Sequence, residues 1–185
     1  MKHICYFYRE QLDSKYIDKL VKDCLKLDIQ DAKVVARSHS KVRRSKTAFL
    51  DKGIFSEIHK IVYDLAVDAN NQAFGFDIND IDKLQFTLYE EANLGYYGWH
   101  ADTNWISEDC CSRKISMSIQ LSNPSDYEGG DVEIVDSNLT DEQIIDCKKK
   151  GSIITFPSFM QHRVTPVTKG RRMSLVGWVS GPKFR

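Results

Sequence analysis

Residues 115–121 read Ile115-Ser116-Met117-Ser118-Ile119-Gln120-Leu121. Apolar and polar side chains alternate with a period of two, the spacing that sends successive side chains to opposite faces of a strand. A second stretch repeats the pattern: Leu84, Phe86 and Leu88 alternate with Gln85, Thr87 and Tyr89. Ile153 to Phe156 reads as a short buried strand stopped by Pro157, and Arg172 to Val179 as a long one. Ile4 to Tyr8 and Lys33 to Ala36 predict two more. The plainest turns are Asn123-Pro124, Gly129-Gly130 and Lys169-Gly170. Short strands separated by turns predict a mainly β core, a sandwich or barrel.

Two segments before residue 80 follow the helical period instead. Ile17, Leu20, Val21, Cys24 and Leu25 share one face, behind a cap at Asp13 or Ser14. Ile54, Ile58, Ile61, Val62, Leu65 and Ala69 predict a second amphipathic helix over about residues 53–70. Both need a sheet to cover. Residues 140–149 stay open between two readings. Thr140 with Gln143 resembles a capping box, yet Ile144-Ile145 could enter a strand. No repeat, low-complexity tract or linker interrupts the chain, so residues 1–185 read as a single domain.

Lys and Arg balance Asp and Glu at 26 each, so no global field draws the chain to nucleic acid or an anionic membrane. The apolar run from Ile4 to Tyr8 is too short for a signal peptide, and none approaches the roughly 20 residues of a membrane span. Five cysteines, with no Cys-x-x-Cys and with Cys110 beside Cys111, fit reduced thiols in a cytoplasmic chain.

The candidate chemistry lies in Tyr97-Gly98-Trp99-His100-Ala101-Asp102 and in a segment beginning at His162. On an extended strand His100 and Asp102 leave the backbone on one face. With His162 they supply two imidazoles and one carboxylate, the facial set associated with non-haem Fe(II). Arg172 and Ser174 share a face of the last strand. A guanidinium fork with a neighbouring hydroxyl is suited to clamp a carboxylate.

At these residues the chain resembles the Fe(II)- and 2-oxoglutarate-dependent oxygenases, in the prolyl 4-hydroxylase-like branch of PKHD-type hydroxylases. The resemblance rests on His100-Ala101-Asp102, His162-Arg163-Val164, Pro166-Val167 and Gly170-Arg171-Arg172. Leu121-Ser122-Asn123-Pro124 and Tyr127-Glu128-Gly129-Gly130 lie between them. It covers residues 82–181 as a dioxygenase core, while residues 1–80 match only in their order of elements, as a supporting region. It implies a double-stranded β-helix, or jelly roll, with two or more N-terminal helices packed on the outer sheet. It also implies Fe(2+) on His100, Asp102 and His162, with 2-oxoglutarate reaching Arg172 and O2 completing the reaction. Succinate and CO2 would be coproducts of a C–H hydroxylation, and L-ascorbate is a further candidate cofactor. Ser174 and Tyr89 are the remaining cofactor-binding candidates, since a buried Tyr hydroxyl needs a partner such as a carboxylate.

Within the family, Asp102 favours hydroxylation, because halogenating relatives carry a small residue there. Trp178 stands where nucleic-acid demethylating relatives carry a second Arg, which argues against nucleic acid. A peptide or protein substrate is implied, peptidyl proline first, with a small molecule as the alternative. Two other classes compete: a zinc hydrolase on the same three ligands, and a metal-binding jelly-roll module without chemistry. The helical His-Glu-x-x-His spacing of common zinc proteases is absent from the sequence.

The remaining residues have blander readings. Tyr97, Trp99 and Trp178 read as packing residues, and Arg171 as a solvent residue. Trp105 reads as either a substrate-facing aromatic or a loop anchor. Cys110 and Cys111 fill space, or lie near the metal as oxidation targets. Arg37, Lys41, Arg43, Arg44 and Lys46 form a solvated loop, or else a contact surface for an acidic or extended substrate at the pocket mouth.

Overall fold

A computed structural model describes residues 1–32, 42–103, 111–137 and 139–184. The predicted strand at 33–36, Arg37, Lys41, Trp105 and Cys110 lie outside the described residues. Strands β1 (Tyr6–Tyr8), β2 (Gln30–Asp31), β4 (Lys46–Phe49), β5 (Asp80–Glu90), β7 (Cys111–Gln120), β8 (Tyr127–Gly129), β10 (Ile153–Pro157) and β12 (Val167–Pro182) form one sheet. Its order is β1-β10-β7-β12-β5-β4-β2, with β8 also paired to β12. Strands β3 (Arg43–Arg44), β6 (Tyr96–His100), β9 (Val132–Ile134) and β11 (His162–Val164) form a second sheet, in the order β3-β6-β11-β9. Every pairing is antiparallel. The architecture is mainly β, a jelly roll of two sheets that do not close into a barrel.

Helix α1 (Ser14–Cys24) starts at Asp13, whose carboxylate accepts from the Lys15 and Tyr16 amides. Ile17, Leu20 and Cys24 are buried, but Leu25 follows the helix as its C-cap and is exposed. Helix α2 (Ser56–Ala69) begins later than the periodicity predicts, because Asp51 folds the preceding turn by accepting from the Gly53 and Ile54 amides. Ile54 is therefore off the buried face and exposed. A π-helical turn, Asn70–Phe74, ends α2 and stops at Gly75 in the left-handed region. At residues 140–149 the helix prevails: Thr140 and Gln143 make the capping box of α3 (Asp141–Cys147). Among the described residues no helix is long and apolar enough to cross a membrane.

The two faces of the large sheet do different work. Leu84, Phe86, Ile115, Met117, Ile119 and Leu175 form one core with Ile17, Leu20, Ile58, Val62 and Ala66 of α1 and α2. The polar alternates do not face solvent. Gln85, Thr87, Tyr89, Ser116, Gln120, Arg172 and Ser174 are all buried. The interior of the jelly roll is thus lined by the polar half of each strand, closed by clusters around Tyr89, Tyr127, Val164 and Val167 and around Ile134, Ile154 and Phe156.

One strand end falls where the sequence reading has it, and one turn does not. Pro157 ends β10, pairing in register with Ile115 as its last residue. Lys169-Gly170 is not a turn. Both residues lie within β12, where Lys169 and Gly170 pair with Glu128 and Tyr127 across an irregular register. Gly170 has φ +69°, and a Cβ there would lie 2.1 Å from the Asp126 carbonyl oxygen. Gly170→Ala should therefore destabilise the fold by about 2 kcal/mol or more, read as a fall in the urea midpoint with an unchanged m-value.

Candidate metal centre

His100 ends β6 and His162 begins β11, and the ladder pairs them directly in register. Their ring centroids are 4.1 Å apart. Asp102 follows in a bend, not on the strand, yet reaches the same point. Its backbone N–H donates to the Ser158 carbonyl at 2.8 Å, and that of Thr103 donates to the same oxygen at 3.0 Å. Asp102 Oδ1 lies 3.5 Å from His100 Nε2, and Oδ2 lies 3.5 Å from His162 Nε2. The three candidate ligand atoms fall within 4.8 Å of one another.

The rings are oriented alike. His100 Nδ1 is 2.9 Å from the Gly98 carbonyl, and His162 Nδ1 is 3.0 Å from the Met160 carbonyl. A neutral imidazole that donates from Nδ1 keeps its lone pair on Nε2, the atom that faces Asp102. Burial pushes the His162 imidazole pKa down, against the opposing pull of the Asp102 carboxylate. Burial alone would raise the Asp102 carboxyl. While the imidazoles still carry a proton on Nε2, hydrogen bonding from His100 and Ser116, with the charges of the two rings, instead holds it well below the usual carboxylate range. At neutral pH the site therefore offers an ionised carboxylate beside the half-buried His100 and the buried His162 imidazole, the donor set that a divalent transition metal takes.

Ser116 and Ser158 support the triad. Ser116 Oγ donates to Asp102 Oδ2 at 2.7 Å and shares a 2.9 Å hydrogen bond with Ser158 Oγ. Neither serine stands out in the sequence as functional. The available signal was a hydroxyl on the inward face of a buried strand, where it must have a partner.

A cavity of about 280 Å³ extends from the triad between the sheets. Arg172, Ser174 and Tyr89 all line it. Arg172 is 3% exposed, its Cδ packs on Gly130, and its Nη1 reaches Ser174 Oγ at 3.5 Å. No carboxylate pairs with it among the described residues. Tyr89 is Arg172's register partner, with the guanidinium 5.7 Å from its ring centroid. Burial raises the Tyr89 hydroxyl pKa, opposed by the charges of Arg43 and Arg172.

The aromatic residues sort differently from the sequence reading. Trp99 is not core: it is 45% exposed on the outer side of β6, beneath the Arg163 guanidinium. The alternation that turns His100 inward turns Trp99 outward. Tyr97 lines the cavity and stacks on His100 at 3.5 Å, with the Arg43 guanidinium over its ring at 4.5 Å from the centroid. Trp178 is buried as expected and also lines the cavity. Arg171 is exposed. Cys111 is half-buried at the start of β7.

Comparison with known proteins agrees with this geometry. The family model described as the 2OG-Fe(II) oxygenase superfamily matches residues 84–180. A PKHD-type hydroxylase of Gloeothece citriformis is 30% identical over 156 residues, covering 83% of this chain and 68% of that protein. One from Idiomarina loihiensis is 38% identical over 94 residues, covering 49% of this chain and 41% of its own length. Among solved structures, a prolyl-4-hydroxylase of Pseudomonas putida superposes with a TM-score of 0.72 at 19% identity, over 98% of this chain and 94% of its own. A prolyl hydroxylase from Trichoplax adhaerens, in complex with a hypoxia inducible factor peptide fragment, gives 0.73 at 16% identity, over 96% and 83%.

Asp102→Ala should abolish tight binding of a divalent metal, measured by calorimetry. Ser116→Ala should weaken it by roughly 10–100-fold, because it removes a hydrogen bond that orients the ligand carboxylate. An unchanged affinity in Ser116→Ala would exclude that supporting role.

Proposed function

The chain belongs to the 2OG-Fe(II) oxygenase superfamily, with the PKHD-type hydroxylases, and from that premise we propose that it is a prolyl 4-hydroxylase-like enzyme acting on a C–H bond of a peptidyl residue, proline first. His100, Asp102 and His162 would hold the Fe(2+) that the family implies. When bound, that ion with O2 and 2-oxoglutarate supplies the oxidising power, with succinate and CO2 as coproducts.

The observation that carries the cosubstrate assignment is Arg172. A guanidinium only 3% exposed and without a carboxylate among the described residues costs stability unless an anion reaches it. A five-carbon diacid that meets the metal with one end can present its other carboxylate to Arg172. Ser174 and Tyr89 line the same cavity and would add hydrogen bonds at that end. Phe156, Val132 and Val164 line the cavity among these polar groups and help to exclude water from it.

A peptide substrate is supported by the Trichoplax structure, whose enzyme is described with a bound peptide fragment. The chain's neutral net charge gives nucleic acid no electrostatic advantage. A zinc hydrolase on the same triad would leave the buried Arg172 without a task, and a module without chemistry would need neither clamp nor open metal positions. L-ascorbate is proposed as an accessory reductant on the family resemblance alone.

With Fe(II) and O2 the protein should convert 2-oxoglutarate to succinate, slowly without substrate. Arg172→Ala should weaken 2-oxoglutarate binding by roughly 10–100-fold, the worth of a charge-assisted hydrogen-bonded pair. Arg172→Lys should recover part of it. Wild-type affinity in Arg172→Ala would remove the clamp assignment.

A further inference from the structure

The inward face of β12 runs Arg172, Ser174, Val176, Trp178, and its partners on β5 are Tyr89, Thr87, Gln85 and Lys83. Trp178 is also the partner of Ser116, which bonds Asp102. The strand therefore has a cosubstrate end at Arg172 and a metal end at Trp178. Arg43 reaches into this cavity from the other sheet. Its Nη2 donates to Gln85 Oε1 at 3.0 Å, and its Nε donates to Ser45 Oγ at 2.7 Å. Gln85 lies four residues along β5 from Tyr89, about 13 Å of strand toward the metal end, and Arg43 also hydrogen-bonds to the Tyr89 hydroxyl, so its guanidinium sits between the cosubstrate end and the metal. Arg43 also stacks on Tyr97, which stacks on His100 at 3.5 Å, so guanidinium, phenol and imidazole form a pile ending on a metal ligand.

The charges decide what such a group is for. Arg113 is paired with Asp82. A divalent ion is balanced by the dianionic cosubstrate, and Asp102 by Arg172. Arg43 is then the one cation lining the cavity that has no counter-charge among the described residues, since Ser45, Gln85 and Tyr97 are neutral. A second donor stands at the metal end. Trp178 is 7% exposed, and its Nε1–H is buried without an acceptor among the described residues. Buried donors of this kind are normally satisfied. The space beside the metal thus offers one uncompensated positive charge and one unused N–H.

We propose that the primary substrate carries a carboxylate close to the carbon that reacts, received by Arg43, with the Trp178 indole N–H donating to a neighbouring carbonyl or carboxylate oxygen. The inference rests on Arg172 being the cosubstrate clamp. It selects an acidic peptide, with Asp or Glu beside the hydroxylated residue, or a small molecule with its own carboxylate. Both present the same chemistry to Arg43.

The test is calorimetric binding to the zinc-loaded, 2-oxoglutarate-bound protein, so that turnover plays no part. The probes are blocked peptides of sequence Gly-Glu-Pro-Glu-Gly and Gly-Gln-Pro-Gln-Gly, with free L-proline and L-prolinamide as the small-molecule pair. Wild type should favour the carboxylate member of one pair by about tenfold or more. The peptide pair responding assigns the carboxylate to a peptide, and the proline pair responding assigns it to a small molecule. Arg43→Gln should bring the pair to near equality, whereas Arg43→Lys, which keeps the charge, should retain most of the preference. No charge preference in wild type for either pair, or a preference that survives in Arg43→Gln, overturns the proposal. A comparable loss of 2-oxoglutarate affinity in Arg43→Gln assigns Arg43 to the cosubstrate and also overturns it, leaving the oxygenase reading intact. Wild type that binds no 2-oxoglutarate at all sinks the oxygenase reading instead.

Discussion

The antiparallel pairing of β6 with β11 is the constraint on which the site depends. It brings His100 and His162 together from segments far apart in sequence. Such a non-local pairing has a loop-closure cost, and backbone hydrogen bonds hold it. Each ring then bonds back to the carbonyl two residues before it, at Gly98 or Met160. Asp102 lies off the ladder, but the Ser158 carbonyl fixes its backbone, and Ser158 in turn donates its N–H to the Lys114 carbonyl. All three ligands are thus positioned by backbone bonds. That is preorganisation: the geometry exists before any ion arrives.

Stability and chemistry occupy opposite faces of the same strands. Leu84, Phe86, Ile115 and Met117 pack under α1 and α2, and burial of that apolar surface is the main source of folding energy. The intervening residues are released from that duty. Gln85, Thr87, Ser116 and Ser174 are polar and buried, and each has a hydrogen-bond partner. A register slip of one residue would exchange the two faces, putting hydroxyls under the helices and isoleucines around the metal. The helices therefore do more than cover the sheet. By demanding the apolar face, they fix which side chains look inward.

The strands were legible because they rest on period two, which the sequence displays directly; the triad was legible by its residue types, since Asp102 lies in a bend beyond β6. His100 and Asp102 are close in the chain, and His162 with Arg172 followed from chemistry plus resemblance. Other features were not legible, for identifiable reasons. Ser116 alternates with isoleucine and methionine, which looks like a solvent face until a second sheet is known to cover it. Trp99 reads as core by its chemistry, yet its place between Gly98 and His100 turns it outward. Gly170 carries turn chemistry, but its positive φ serves an irregularity inside β12 where the chain passes the Asp126 carbonyl. Arg43 looked like one member of a basic run. Only the fold separates it from the exposed Arg44 beside it.

The same polar interior ties binding to stability. Arg172 is buried in the folded chain, and Arg43 half-buried, with neutral hydrogen-bond partners and no carboxylate among the described residues. In the unfolded chain water solvates both. Folding without ligands therefore sets part of the hydrophobic gain against the desolvation of these cations. An anion that reaches them only in the folded state recovers that cost, and linkage requires it to raise the unfolding free energy as its concentration exceeds its dissociation constant. A stabler apo protein could be built by replacing Arg172 with an apolar residue of similar volume. The guanidinium kept between Tyr89 and Ser174 is what the cosubstrate role proposed for Arg172 explains and its packing does not.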